Sequence, residues 1–322
     1  MGRRQPMRIS YDVIDGRIAE VHRDDAPIVI FQSPTDAERE YLVKEMLVDE
    51  HTLQSALDMD EISRLEFEPN HVAIILKRPA NYTNDIHVEF RVASIGAFLF
   101  HDRLLIVQSD DSSLWEGRRP FANCQSLPGS LLRLMYFTID HFLGHLKVIH
   151  LILDEIERKI QKSLGNKALS NMFALEKSLV YYQSAVQSNG LVLAKLRQHV
   201  GRVGFNDEET EFLDDIMVEN DQCAKLVDIY SSILTGMSDA RVSIVSNNLA
   251  ILMKKLTVIS VGIVPVNVVA SMGGMSEFSA WTRHIWWPYS YGAFGLAMII
   301  IAYMTFVLMQ RMGMGANPNE DD

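Results

Sequence analysis

Apolar positions change rhythm along this chain, and each rhythm predicts a different architecture. Over residues 1–125 they come in short bursts. Arg8–Tyr11 and Arg17–His22 flank Asp15-Gly16, the dipeptide of a tight hairpin turn. Pro27–Gln32 is a short apolar strand, and Thr35-Asp36-Ala37-Glu38 is a capping box that opens a helix to about Met46. His71–Lys77, His87–Val92 and Leu104–Gln108 read as further strands. Strands mixed with helix predict an N-terminal mixed α/β domain over 1–125.

Glu116–Ser130 collects two prolines and two glycines and marks a boundary. Beyond it the apolar spacing is three and four. Leu131–Ser163 and Lys167–His199 read as long helices, and 201–206 as a tight connection. From Asp207 the helical pattern continues for about 65 residues, roughly 100 Å at 1.5 Å per residue. That is too long for a globular domain. It predicts a helical stem over 126–255 that runs into a membrane.

The last rhythm is unbroken apolarity. Leu256–Met272 and Trp286–Met309 carry no charged side chain and are long enough to span a bilayer. Trp286, Trp287, Tyr289 and Tyr291 stand where an interfacial aromatic belt would. The bland alternative is a pair of buried helices in a soluble core. We read residues 256–312 as a two-helix transmembrane domain with a short loop at 273–285, and 313–322 as a tail. The predicted fold is therefore α+β: a mixed α/β domain, a long helical stem and two C-terminal transmembrane helices. Lys254, Lys255 and Arg311 flank the spans, against Arg283 alone in the loop, so both termini are expected in the cytoplasm.

Composition narrows the function. The net charge of −11 comes without a basic block, which argues against nucleic acid as a partner. Two cysteines, Cys124 and Cys223, are too few for a disulfide framework and suit a reducing compartment. The N-terminal MGRRQPMRIS lacks the apolar run of a signal peptide. With no Gly-rich phosphate loop, GxSxG elbow or CxxC, an enzymatic reading has no foothold and no cofactor is expected.

Three patterns carry candidate chemistry. Asp239, Ser246, Ala250, Met253, Thr257, Ser260, Val264, Asn267 and Ser271 follow one another at steps of seven, then four and three, which turns one helix face toward a common axis. At lipid depth such a face needs water or protein against it, so it lines a passage or packs on another helix. Upstream, Glu211, Asp215 and Glu219 share a face with Asp207, Asp214, Asp221 and Asp228 nearby. That face is either solvated or neutralised by a divalent cation. His141 and His145 form an HxxxH pair beside Asp140, with His150 following. It lacks the glutamate and cysteine of common zinc motifs, so a structural or solvated role competes with Zn²⁺ binding.

At Met253–Phe278 the residues become specific. Met253, Lys254, Leu256, Thr257, Ile259, Pro265, Ala270, Gly274 and Met275 stand in ungapped register with the signature of the CorA family of divalent-cation channels and transporters, which the chain resembles. Ser246-Asn247 also fits, and Arg64–Glu68 loosely resembles the family's RPKxE-like segment. The domain order matches over nearly the whole chain. The resemblance implies a homopentamer in a prokaryotic inner membrane. Its first spans would line one axial pore for Mg²⁺, Co²⁺ or Zn²⁺, the ion being cargo. Pore and mouth would then comprise Asp239, Ala250, Met253, Leu256, Thr257, Ser260, Val264, Asn267, Ser271, Gly274, Met275 and Ser276. Asp239 would stand at the entrance, Asp215 at a regulatory cation site, and Glu277 in the outer loop. Ser276 replaces the asparagine of the family's Gly-Met-Asn mouth, the loop adds Arg283 and His284, and the tail is acidic where the family's is Lys-rich. These departures keep two other readings open: a proton-coupled Zn²⁺ carrier of the ZntB type, and a non-conducting membrane-anchored sensor or structural protein.

Overall fold

The computed structural model describes residues 7–14, 17–23, 25–80, 89–110, 125–160 and 166–311. The predicted Asp15-Gly16 turn, Cys124 and the tail lie outside them. The chain forms two compact units, 1–237 and 238–322.

The first unit is built on a seven-stranded sheet. Its strands are β1 (Met7–Ile14), β2 (Arg17–Val21), β3 (Ile28–Gln32), β4 (Arg64–Phe67), β5 (His71–Pro79), β6 (Val92–Phe100) and β7 (Leu104–Gln108). The order is β2-β1-β3-β7-β6-β5-β4, antiparallel except for the β3·β7 pair. All five residues of β3 (IVIFQ) and of β7 (LLIVQ) are buried, because this central pair is covered on both faces.

Alternation along β3 sorts the two faces. Val29 and Phe31 point to α1 (Asp36–Lys44) and α2 (Glu50–Leu57), where they pack with Leu42, Leu53 and Ala56. Ile28 and Ile30 join the larger core formed with α3 (Leu127–Ile160), α4 (Asn166–Gln198) and the residues of α6 up to Leu234. Each fully buried Ile or Leu contributes about 1.5–3 kcal/mol here. Helix α2 sits directly on the sheet: a Cβ on Gly96 of β6 would lie 2.5 Å from the Ala56 Cβ, so no larger residue fits.

The helix starts follow from capping. Thr35 and Glu38 form the predicted capping box of α1. Asp49 accepts the Thr52 N–H at 2.9 Å and opens α2, a helix the apolar pattern missed because it has only eight residues. Helix α3 starts at Leu127 instead of Leu131. Ser126 caps it by accepting the Gly129 N–H at 2.8 Å, and Pro128 falls in the first turn, where a missing N–H costs nothing. Of the expected strand over 87–92, residues 87 and 88 lie outside the described residues, and the described strand runs over Val92–Phe100 instead. Within 201–206, the helical turn α5 (Val200–Val203) precedes Gly204, whose φ of 88° ends it.

Asn206 then opens α6 (Asp207–Gly273). Its Oδ1 accepts the Glu209 N–H at 2.8 Å and its own N–H donates to Glu209 Oε2 at 3.0 Å. Glu209 also accepts from the Ser126 hydroxyl, tying the starts of α3 and α6 together. In the second unit, the remainder of α6 is followed by α7 (Ser276–Trp281), which lies within the expected loop, and by α8 (Trp287–Arg311).

Candidate functional site

The stripe lies on α6. Asp239, Ala250, Met253, Leu256, Thr257, Ser260, Val264, Asn267 and Ser271 are all exposed in the single chain. Both α6 and α8 contain stretches long and apolar enough to cross a membrane, and neither stretch is buried within the chain. That exposure removes the soluble-core alternative, since a core helix would be covered. Thr257 satisfies its hydroxyl within the helix, donating to the Met253 carbonyl at 2.8 Å. Asn267 differs: among the described residues its amide has no hydrogen-bond partner. Pro265, inside the same helix, lacks an N–H and leaves the Val261 carbonyl without its helical donor. Asn267, Ser271 and Met275 share one shallow concavity with Val264, Val268 and Met272.

The helix does not reach the expected mouth intact. It ends at Gly273; the Gly274 N–H lies 3.2 Å from both the Ala270 and Ser271 carbonyls, and the Met275 N–H 3.2 Å from Met272 O. Ser276 opens α7 and so belongs to a different helix from the one that carries Asn267. Glu277 lies in α7, with its side chain outside the described residues, and Arg283 and His284 are exposed before α8.

Beside the acidic face two carboxylates are ion-paired and a third is hydrogen-bonded, while Glu211, Asp215 and Glu219 form no ion pair among the described residues. Arg197 donates to both carboxylate oxygens of Asp214, at 2.6 and 3.1 Å. Lys225 pairs with Asp221 at 2.6 Å, and Gln183 donates to Asp228 at 2.7 Å. Asp215 and Asp239 stand exposed. Among the described residues no three His, Cys, Asp or Glu side chains converge to hold a metal ion. A cation at either aspartate would therefore need ligands from another copy of the chain or from water.

His145 is buried against Tyr182, their rings stacked 14° from parallel, with Phe90 edge-on to both. His150 stacks on Tyr230. Burial pushes the Tyr182 phenol up and the neighbouring Cys223 thiol up to about 12, so both stay protonated.

Sequence reasoning missed a buried polar network beside this core. Lys77 of β5 donates to the Met59 carbonyl and, at 3.0 Å, to Ser94. Asn189 of α4 accepts the Lys77 N–H at 2.9 Å and donates to the Lys77 carbonyl at 2.7 Å. This clamps the 58–63 loop and α4 onto the sheet, and burial lowers the Lys77 pKa. No local spacing announces it, because its members come from four separate segments.

Comparison with known proteins follows the same geometry. The family described as CorA-like Mg²⁺ transporter protein matches residues 25–311. The cobalt/magnesium transport protein CorA of Methanocaldococcus jannaschii is 22% identical over 258 residues, covering 77% of this chain and 80% of that protein. The protein of the same name from Thermotoga maritima is 23% identical over 261 residues, 78% of this chain and 74% of that one. Among solved structures, the complete CorA magnesium transporter of Methanocaldococcus jannaschii superposes with a TM-score of 0.76 at 18% identity, over 97% of this chain and 99% of that one. The ZntB cytoplasmic domain of Vibrio parahaemolyticus gives 0.59 at 12% identity, over 75% and 98%.

Proposed function

Because this chain belongs to the family of CorA-like Mg²⁺ transporter proteins, we propose that it carries divalent cations across a membrane, Mg²⁺ first, with Co²⁺ and Zn²⁺ as further cargoes. The curated relatives named for cobalt and magnesium support that choice of cargo. In this reading five copies assemble around an axis lined by the α6 stripe. Residues 1–125 and the stem to 255 lie on the cytoplasmic side with both termini, and 256–312 cross the membrane.

One observation carries the reading: an exposed Asn267 amide at mid-span, on the same face as Ser260 and Ser271. An unpartnered amide in hydrocarbon costs several kcal/mol, whereas five of them around a wetted axis are hydrated. The ion passes with its waters. No Asp or Glu occurs between Asp239 and Glu277, and Mg²⁺ sheds water reluctantly, so neutral amides and hydroxyls bond its hydration shell without replacing it. Asp239 at the cytoplasmic end supplies charge that concentrates cations before entry.

Ser276 in place of the family's asparagine favours a second reading, in which the mouth has lost Mg²⁺ preference and the protein serves Zn²⁺ or no longer conducts. Uptake of Mg²⁺, Co²⁺ and Zn²⁺ into proteoliposomes, each ion in turn, decides between them. Absence of uptake for all three ions would sink the transport reading and favour the sensor.

A further inference from the structure

Gly273 closes α6, and the ring of Phe294 on α8 stands directly on it. A Cβ built on Gly273 would lie 2.3 Å from Phe294 Cζ, 2.6 Å from Cε1 and 3.0 Å from Cε2. Ordinary carbon–carbon contact is about 3.5–4.0 Å, so no side chain fits at 273 while the ring keeps its place. This approach is local. Cβ atoms on Gly262, Gly292 and Gly295 would meet nothing within 4 Å, and one on Gly274 only an ordinary contact at 3.6 Å. Phe294 is half-buried, whereas Ala293 and Leu296 beside it are exposed.

The backbone bonds at this end of α6 stand at the long end of the ordinary range. The Gly274 N–H is shared between two carbonyls at 3.2 Å, and the Met275 bond is equally long. Long, shared bonds leave the direction of the chain to be set by packing. Among the described residues the Phe294 ring is seated on Gly273, three residues before Ser276. We propose that Phe294 is the positioning residue of the mouth: seated on Gly273, it sets where α6 ends and so where Gly274, Met275 and Ser276 stand. Its consequence for ion affinity rests on the transport reading above; the seating itself does not.

The test uses the full chain in liposomes, carrying Ser276→Cys and Cys124→Ser. Cys223 is fully buried with its thiol pushed up to about 12, so it stays unreactive. The rate of labelling at position 276 by a membrane-impermeant maleimide reads the mouth. Gly273→Ala inserts a methyl where the ring lies, and Phe294→Tyr adds a hydroxyl at the ring tip. Each should change the labelling rate about fivefold, and Gly273→Ala with Phe294→Leu, which trades ring for methyl, should return it to within about twofold of the parent. Phe294→Tyr, the smaller perturbation, decides the matter where Gly273→Ala fails to assemble. Unmoved labelling, or additive effects in the double variant, overturns the proposal. Mg²⁺ uptake by the same liposomes should show the half-saturating concentration shifting more than the maximal rate. A parent that takes up no ion while labelling responds as described sinks the transport reading and leaves the positioning role standing.

Discussion

His145 on α3 and Tyr182 on α4 share a hydrogen bond of 2.5 Å between Nδ1 and the phenol, inside a core that covers both rings. Burial keeps the phenol protonated, and the His145 tautomer decides which of the two groups donates. Nδ1 of His145 is thus engaged in packing the core, and this bond competes with any role of that nitrogen as a metal ligand. Tyr182→Phe keeps the ring and deletes the hydroxyl, removing this buried hydrogen bond. The expected cost is about 1–3 kcal/mol, read as a lower denaturation midpoint of the full-length protein. Zn²⁺ should leave the midpoints of parent and His145→Ala equally unaffected; a zinc-dependent rise confined to the parent would restore the metal reading.

A second histidine makes the first unit sensitive to acid. His71 on β5 lies opposite Phe100, stacked on it at 4.7 Å, with Nε2 buried and unpartnered among the described residues. Burial lowers its pKa below the ordinary 6.5, outweighing the opposing pull of Glu68. In the unfolded chain the ring takes a proton near pH 6.5, while in the fold it does so only at lower pH. The unfolded state therefore binds more protons as pH drops, and stability falls below about pH 6.5, by at most about 1.4 kcal/mol per pH unit. Denaturant midpoints between pH 7.5 and 5.5 should fall less steeply in His71→Phe than in the parent. Parallel slopes would show that His71 takes no part.

What could be read in advance follows from how local each signal is. The α1 capping box needs only Thr35 and Glu38, three residues apart, and it formed as expected. The α6 stripe needs only helical spacing along one element, so its periodicity was legible without a tertiary contact. Strand β6 was misplaced for the opposite reason. VASIGAFLF lies between β5 and β7 with both faces covered, and so lacks the alternation that announces a strand. The Lys77 clamp joins positions more than a hundred residues apart, and Phe294 meets Gly273 across the α6–α8 turn. Such contacts are set by packing and leave no periodic trace.

The exposed Asp215 gives the stem its own test. Its neighbours Asp214 and Asp221 already hold Arg197 and Lys225, whereas Asp215, like Glu211 and Glu219 on the same face, forms no ion pair among the described residues and is open to a cation bridging copies. Were it so used, Mg²⁺ would protect the stem from proteolysis in the assembled protein, and Asp215→Asn would shift the protecting concentration upward about tenfold. Equal protection of parent and variant at every Mg²⁺ concentration returns Asp215 to a solvated surface role.

The sharpest test lies on the α6 face itself. Asn267 and Ser271 share one concavity with Met275, one residue before Ser276. If that concavity faces a wetted axis, Asn267→Leu replaces a ring of amides by isobutyl groups in the narrowest stretch and denies the hydrated ion its partners. An amide hydrogen bond to a charged species is worth about 1.5–3 kcal/mol, so loss of the ring should lower Mg²⁺ uptake at least tenfold. The same substitution in a helix packed against lipid would do the reverse for stability, since a buried leucine is favoured there over an unpartnered amide. Ser276→Asn lengthens the mouth side chain and restores the family's Gly-Met-Asn, so the uptake ratio of Mg²⁺ over Co²⁺ should rise. Normal uptake by Asn267→Leu, together with a higher denaturation midpoint, would place this face against lipid or another helix and withdraw it from the ion path.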